Sequence, residues 1–151
     1  MADKNKELNT TIRLINNKLH FQGTTGSHEP VSIDYIAPLG DDLGYTSLEL
    51  FLMSLSSCLG SAMLVFLRRM NKTISNFDIE ASGIRKEEHP TGFSSIHLAV
   101  HVQSPDITLA ELAKVSSMAE EKYCPVWSMI DKAVKVETSF HITAKIPETV
   151  D

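Results

Sequence analysis

A chain of 151 residues, 42% apolar and 22% charged, has the size and composition of one folded domain with a substantial core. Its formal net charge of −5 argues against nucleic acid and anionic membrane as partners. The first residues, through Glu7, lack the apolar run of a secretory signal, so the cytoplasm is the expected compartment. There, two cysteines read as redox-active or inert before they read as a static staple.

In chain order, residues 1–8 form a charged leader expected to fray. Residues 10–15 are rich in β-branched side chains and read as a strand, Asn16-Asn17 as a turn, and residues 18–24 as the returning strand of a hairpin. Gly26 to Pro30 makes a second turn, and residues 31–36 a third strand with Val31, Ile33 and Tyr35 on one face. Residues 38–44, with Pro38, Gly40 and Gly44, form a breaker-rich loop leading into the longest apolar stretch.

That stretch, residues 46–70, predicts a long helix around which the chain is organised. Between Leu48 and Leu67 the only charged residue is Glu49, so the helix is apolar around its whole circumference. Thr46 and Glu49 have the spacing of a capping box, and Tyr45 and Leu50 that of a hydrophobic staple. Arg68 and Arg69 complement the negative end of the dipole, and Asn71 suits a left-handed stop. Roughly 20 apolar residues can also span a bilayer. Ser54, Ser56, Ser57, Gly60 and Ser61, and the lack of a second such segment, favour a core helix instead. The other elements of one subunit can cover only part of it, which predicts an intertwined homodimer with a large apolar interface.

Phe77, Ile79 and Ala81 alternate with Asp78, Glu80 and Ser82, a half-buried strand running to about Arg85. After a turn at residues 87–92, residues 93–102 form the next strand, with Ile96, Leu98, Val100 and Val102 on one face. His97 and His101 share the other face roughly 13 Å apart at ~3.3 Å per residue, so they read as surface histidines and no metal is assigned. Residues 105–123 form a helix capped by Asp106 or Thr108, with Leu109, Leu112, Ala113, Ser116 and Ala119 at helical spacing. Pro125 breaks the helix after Cys124, a second piece covers residues 126–133, and a strand covers residues 134–146. No repeat or linker divides the chain, so residues 1–151 are expected to form a single α+β domain.

The chemistry rests on Cys58, mid-helix, and Cys124, at a helix start, where free amides and the dipole lower a thiol pKa. On chemistry alone Cys58 reads first as a small core residue. The wording around both cysteines goes further. Leu48 to Cys58 resembles the helix of the OsmC/Ohr family, whose pattern is roughly P-x-E-L-L-L-A-A-L-A-x-C. Glu120 to Val126 resembles the second-cysteine motif of that family, and the likeness runs from about Leu19 to Ile142.

The resemblance implies the OsmC-like fold and a homodimer with its sites at the subunit interface. It implies cysteine-based reduction of organic hydroperoxides in oxidative-stress defence, with Cys58 as the peroxidatic and Cys124 as the resolving thiol, recycled by an external dithiol of lipoyl type. No cofactor is implied. A thiolate among apolar side chains such as Phe51, Met53 and Leu55 loses hydration, so the reaction needs a compensating cation. Here the chain departs from the family pattern. Where that pattern has an N-terminal-region arginine, Arg13 is the only arginine nearby, beside Asn16, Asn17, Lys18 and His20. The helix glutamate of the pattern falls on Leu48, with Glu49 one residue later, so Glu49 is either a site residue or a helix cap. Arg85 is a substitute for the activating charge, or else a solvated strand arginine. The alternatives to a peroxidase are a non-enzymatic protein of the same fold that binds an apolar small molecule, and a redox sensor.

Overall fold

The computed structural model describes residues 6–144. The chain groups into two compact units, one up to Leu50 and one from Phe51 onward. The elements follow the expected order: three strands, a long helix, two strands, a broken helix and a last strand.

The first unit is an antiparallel sheet in the order β1-β2-β3 (Thr11–Leu14, Phe21–Thr24 and Val31–Ile33). Asn16 builds the first turn, its side-chain oxygen accepting from the amides of Lys18 at 3.0 Å and His20 at 3.1 Å. β3 stops three residues short of the expected end because the buried Asp34 turns the chain. Its carboxylate accepts backbone amides from Tyr35 at 2.7 Å, Asp41 at 3.2 Å and Leu43 at 3.1 Å. Burial alone would raise the Asp34 pKa, but these donors and the nearby His20 outweigh it and hold the carboxyl below its ordinary value. The loop closes so tightly that a Cβ on Gly40 would lie 2.1 Å from the Tyr35 carbonyl oxygen. β1 is exposed along its length, with Ile12 at 61% and Leu14 at 49%, so its apolar side chains lack cover in a single chain.

Helix α1 (Ser47–Arg69) starts with the expected capping box: Glu49 N donates to Thr46 Oγ1 at 3.3 Å, and Thr46 N to the Glu49 carboxylate at 3.3 Å. It ends as expected too, with Asn71 left-handed at φ 56° and the Lys72 amide reaching back to the Leu67 carbonyl at 3.1 Å. Leu55, Leu59, Ala62, Met63 and Leu67 form one buried stripe. Gly60 lets α1 approach β4 closely, since a Cβ there would stand 3.2 Å from both Ile79 and Phe77. Met53, Ser54, Ser57 and Ser61 remain exposed, so a single chain buries only part of the circumference. Among the described residues α1 is the one helix long and apolar enough to cross a membrane.

β4 (Asn76–Arg85) pairs antiparallel with β5 (Phe93–Gln103), and β5 pairs parallel with β6 (Lys135–Thr143). A parallel pair needs a crossover, which the second helical region supplies. Ile96, Leu98, Val100 and Val102 of the central strand are buried. On the opposite face His97 is exposed, while His101 stacks on its register partner His141, ring centroids 4.7 Å apart. His101 is thus a part-exposed histidine, as its spacing suggests, with a stacking partner on β6.

α2 (Leu109–Met118) takes Thr108 as its cap, with Glu111 completing a capping box. The other candidate, Asp106, instead accepts from the Thr73 amide at 3.0 Å and the Ser104 hydroxyl at 2.9 Å. The buried face is Leu112, Val115, Ser116 and Ala119, whereas Leu109 is 58% exposed and Ala113 is exposed. Leu109 and Ala113 keep the expected helical spacing but lie outside the buried stripe, which includes Val115. A π-helical turn, Ala119–Tyr123, follows, then α3 (Pro125–Ile130). β6 buries the expected face in part, at Val136, Thr138, Phe140 and Ile142; the expected strand end at Ile146 lies outside the described residues.

Candidate active site

Cys58 sits between the fully buried Leu55 and Leu59 on α1 and is itself half-exposed. Cys124 is buried, at the break between two helical pieces. Pro125 disfavours helical geometry in the residue before it, and Cys124 accordingly has φ −106° and ψ 97°. Its amide closes the π turn onto the Ala119 carbonyl at 2.8 Å, and its sulfur caps α3, accepting from the Trp127 amide at 3.4 Å. Tyr123, just before it, meets Phe66 of α1 edge-on with ring centroids 4.8 Å apart.

Both thiols are free, and Cys58 is near enough to Cys124 to act on its ionisation. Burial pushes the Cys124 thiol up from 9.0 to about 12, and the neighbouring Cys58 thiol adds to the rise, against the amides of Trp127 and Val126. This reverses the expectation of a lowered pKa at a helix start. Those amides do act in the expected direction, but a six-residue helix opposes burial and a second thiol only weakly.

The other candidates bond elsewhere. Glu49 is exposed, and its carboxylate accepts from both the amide and the hydroxyl of Thr46, the latter at 2.6 Å. Arg85 donates through Nε to the Thr91 carbonyl at 2.8 Å and through Nη2 to the Thr91 hydroxyl, clasping the β4–β5 turn. His20 Nε2 pairs with Ser32 Oγ at 2.7 Å. Arg13, exposed on β1, makes no side-chain hydrogen bond or ion pair among the described residues. Glu120, which the sequence marks only as the first residue of the second-cysteine motif, accepts through Oε1 from Ser116 Oγ at 2.8 Å and Thr138 Oγ1 at 3.4 Å. The available signal was the run Ser116, Glu120, Cys124, spaced four by four.

A family profile described as OsmC-like protein matches residues 40–139, a stretch that contains both cysteines. The chain belongs to the OsmC-like family. Protein YhfA of Escherichia coli K12 is a relative of this OsmC-like chain, 26% identical over 126 residues, covering 83% of this chain and 92% of its own. A hypothetical protein from Aquifex aeolicus has the same fold, with a TM-score of 0.81 at 21% identity over 93% of this chain and 98% of its own. A Legionella pneumophila OsmC, described as an organic hydroperoxide resistance protein, superposes with a TM-score of 0.67 at 16% identity over 92% of this chain and 99% of its own. At these identities the two structures establish the OsmC-like fold and no more.

Proposed function

We propose that this OsmC-like protein is a thiol-dependent peroxidase for organic hydroperoxides, with Cys58 as the attacking and Cys124 as the resolving thiol. The observation that carries the reading is a pair of free thiols close enough for Cys58 to add to the raised pKa of the buried Cys124. Family membership and the description of the Legionella neighbour support it. The Cys58 thiolate attacks the terminal peroxide oxygen, and the O–O bond breaks. Sulfur keeps that oxygen as sulfenic acid, and the alkoxide takes a proton and leaves as the alcohol. The Cys124 sulfur then attacks the Cys58 sulfur. The S–S bond forms, the S–O bond breaks, and hydroxide leaves with the Cys124 proton as water. An external dithiol returns two electrons and reopens the disulfide. Apolar neighbours of Cys58, Leu55 and Leu59 among them, favour an alkyl substituent over hydrogen peroxide. The test is consumption of cumene or tert-butyl hydroperoxide with dithiothreitol as reductant. A rate no faster than that of a cysteine-free variant would sink the enzyme and leave an apolar-ligand-binding protein.

The working unit in this reading is a homodimer. The exposed α1 face at Met53, Ser54, Ser57 and Ser61, and the uncovered Ile12 and Leu14, are the surfaces a second copy would bury. Sedimentation should return a dimer at micromolar concentration, with an interface on the order of 2,000 Å² or more. A stable monomer would overturn this.

The thiolate needs a cation that its own helix dipole cannot supply, since that effect fades beyond the first turn. Arg85 is held rigidly by Thr91, while Arg13 is unengaged among the described residues and could serve from a second subunit. Replacing whichever arginine supplies the charge should lower the rate at neutral pH about tenfold for each pH unit by which thiolate formation moves upward. The lysine variant should recover only part, since ammonium lacks the planar fork. Wild-type rates and pH profiles in both Arg13→Ala and Arg85→Ala would move the role to His20.

A further inference from the structure

We propose that Glu120 is a positioning residue that sets how fast Cys124 closes on Cys58, and so decides whether a Cys58 sulfenic acid is resolved or oxidised further. The inference rests on the thiol chemistry proposed above, but the closure step can be measured without any peroxide.

α2 is regular through Met118 and firmly capped at Thr108. The turn after it is widened to a π turn, with the Cys124 amide bonded to Ala119 rather than to Glu120. Such a turn holds one residue more than an α turn and is frequent at functional sites. Each helical residue advances the direction of a side chain by about 100°. Closing this turn to α geometry would therefore swing Cys124 away from its present bearing. Pro125 explains why the helix must stop, but not where Cys124 points.

Glu120 supplies the missing restraint. One oxygen of its carboxylate, Oε1, accepts from Ser116 a turn back on α2 and from Thr138 on β6. Ser116 is fully buried, and Thr138 sits in register with Leu98 of the central strand, which is also fully buried. The π turn is thus tied to the most rigid part of the sheet, while the Tyr123–Phe66 contact ties its far end to α1, which carries Cys58. The adjacent pair serves as an internal comparison. Ser117 donates to Glu121 at 3.2 Å in the same four-residue spacing, but both residues are exposed and neither reaches the sheet.

The consequence concerns a competition at one sulfur. A Cys58 sulfenic acid condenses with the Cys124 thiol to a disulfide and water, or reacts with a second hydroperoxide to give sulfinic acid and alcohol. The first route depends on how often Cys124 lies in attacking position, and displacement by about 1 Å can cost about a hundredfold in such a step. Glu120 contacts neither sulfur, so the first attack at Cys58 should not depend on it.

The experiment follows Cys58–Cys124 disulfide formation in the full-length protein by mass spectrometry, using diamide as the two-electron oxidant. Glu120→Ala should close at least about tenfold more slowly than wild type. Alkylation of Cys58 and its first oxidation by tert-butyl hydroperoxide should stay within about twofold, and a dimedone-trappable Cys58 should accumulate. Glu120→Gln keeps an acceptor oxygen for both hydroxyls and should recover most of the closure rate. Glu121→Ala should match wild type. Thr138→Val removes one anchor while preserving shape, and it decides the matter by the same readout if Glu120→Ala does not fold. Wild-type closure in Glu120→Ala, or in Thr138→Val where the first variant is unfolded, overturns the proposal. A wild-type protein that closes with diamide but consumes no hydroperoxide would remove the peroxidase reading, and the diamide comparison would still judge Glu120.

Discussion

Cys58→Ser is expected to lose hydroperoxide turnover to the uncatalysed background, while Cys124→Ser completes one oxidation and then stalls. A serine hydroxyl is scarcely ionised at neutral pH, whereas the thiolate is the reactive form of cysteine. Losing the nucleophile should cost on the order of 10³ or more in rate, as removal of an attacking residue commonly does. Cys124→Ser leaves the first step intact, so one equivalent of hydroperoxide should be consumed at close to the wild-type rate. Without the second thiol the sulfenic acid persists, open to external thiols or to further oxidation. In wild type, oxidant titration should consume both thiols and leave the chain monomeric on denaturing, non-reducing gels. A stable sulfenic acid at Cys58 with Cys124 still alkylatable would remove Cys124 from the resolving role. Full activity in Cys58→Ser would remove the mechanism altogether.

The order of elements was legible because it rests on local periodicity. Ile96 to Val102 alternates cleanly, and the capping residues Thr46, Glu49 and Asn71 act within a turn of the helix ends they define. What escaped depends on longer reach. β3 ends where Asp34 gathers amides from as far as Leu43, and apolar alternation at Val31, Ile33 and Tyr35 carries no trace of that. His101 meets His141 only through the parallel register of β5 and β6, forty positions apart. The π turn was hidden because Leu112, Val115, Ser116 and Ala119 keep ordinary helical spacing up to its first residue, leaving Cys124-Pro125 as the sole mark of a break.

The candidate site was legible in a different way. Composition left Cys58 as a plausible core residue, and only the wording of the two cysteine motifs joined it to Cys124. In the folded chain Cys58 lies near enough to Cys124 to add to its raised pKa. The acid–base character of Cys124 went the other way, because its position at a helix start was visible in the sequence and its burial was not. Glu49 shows the converse: a residue singled out by near-coincidence with a family pattern uses its carboxylate to close its own helix start.

The raised Cys124 thiol makes the fold sensitive to alkali in a way that can be assigned to one side chain. Its folded pKa of about 12 lies above the ordinary 9.0, so the folded chain holds a proton that the unfolded chain releases in between. The associated stability is therefore fully present below about pH 9 and is lost as pH rises toward 12. The urea midpoint of wild type should fall across that window, and that of Cys124→Ser should fall less steeply, because serine does not titrate there. Cys58→Ser should lie between the two. It removes the neighbouring thiol that adds to the shift, but it leaves burial, the largest cause, in place. The same order should hold for the pH midpoint of Cys124 alkylation followed peptide by peptide, with Cys58→Ser lowering that midpoint only part of the way toward 9.0. A wild-type Cys124 midpoint already near 9, or identical alkaline slopes in wild type and Cys124→Ser, would mean that burial does not hold the Cys124 proton in the folded chain.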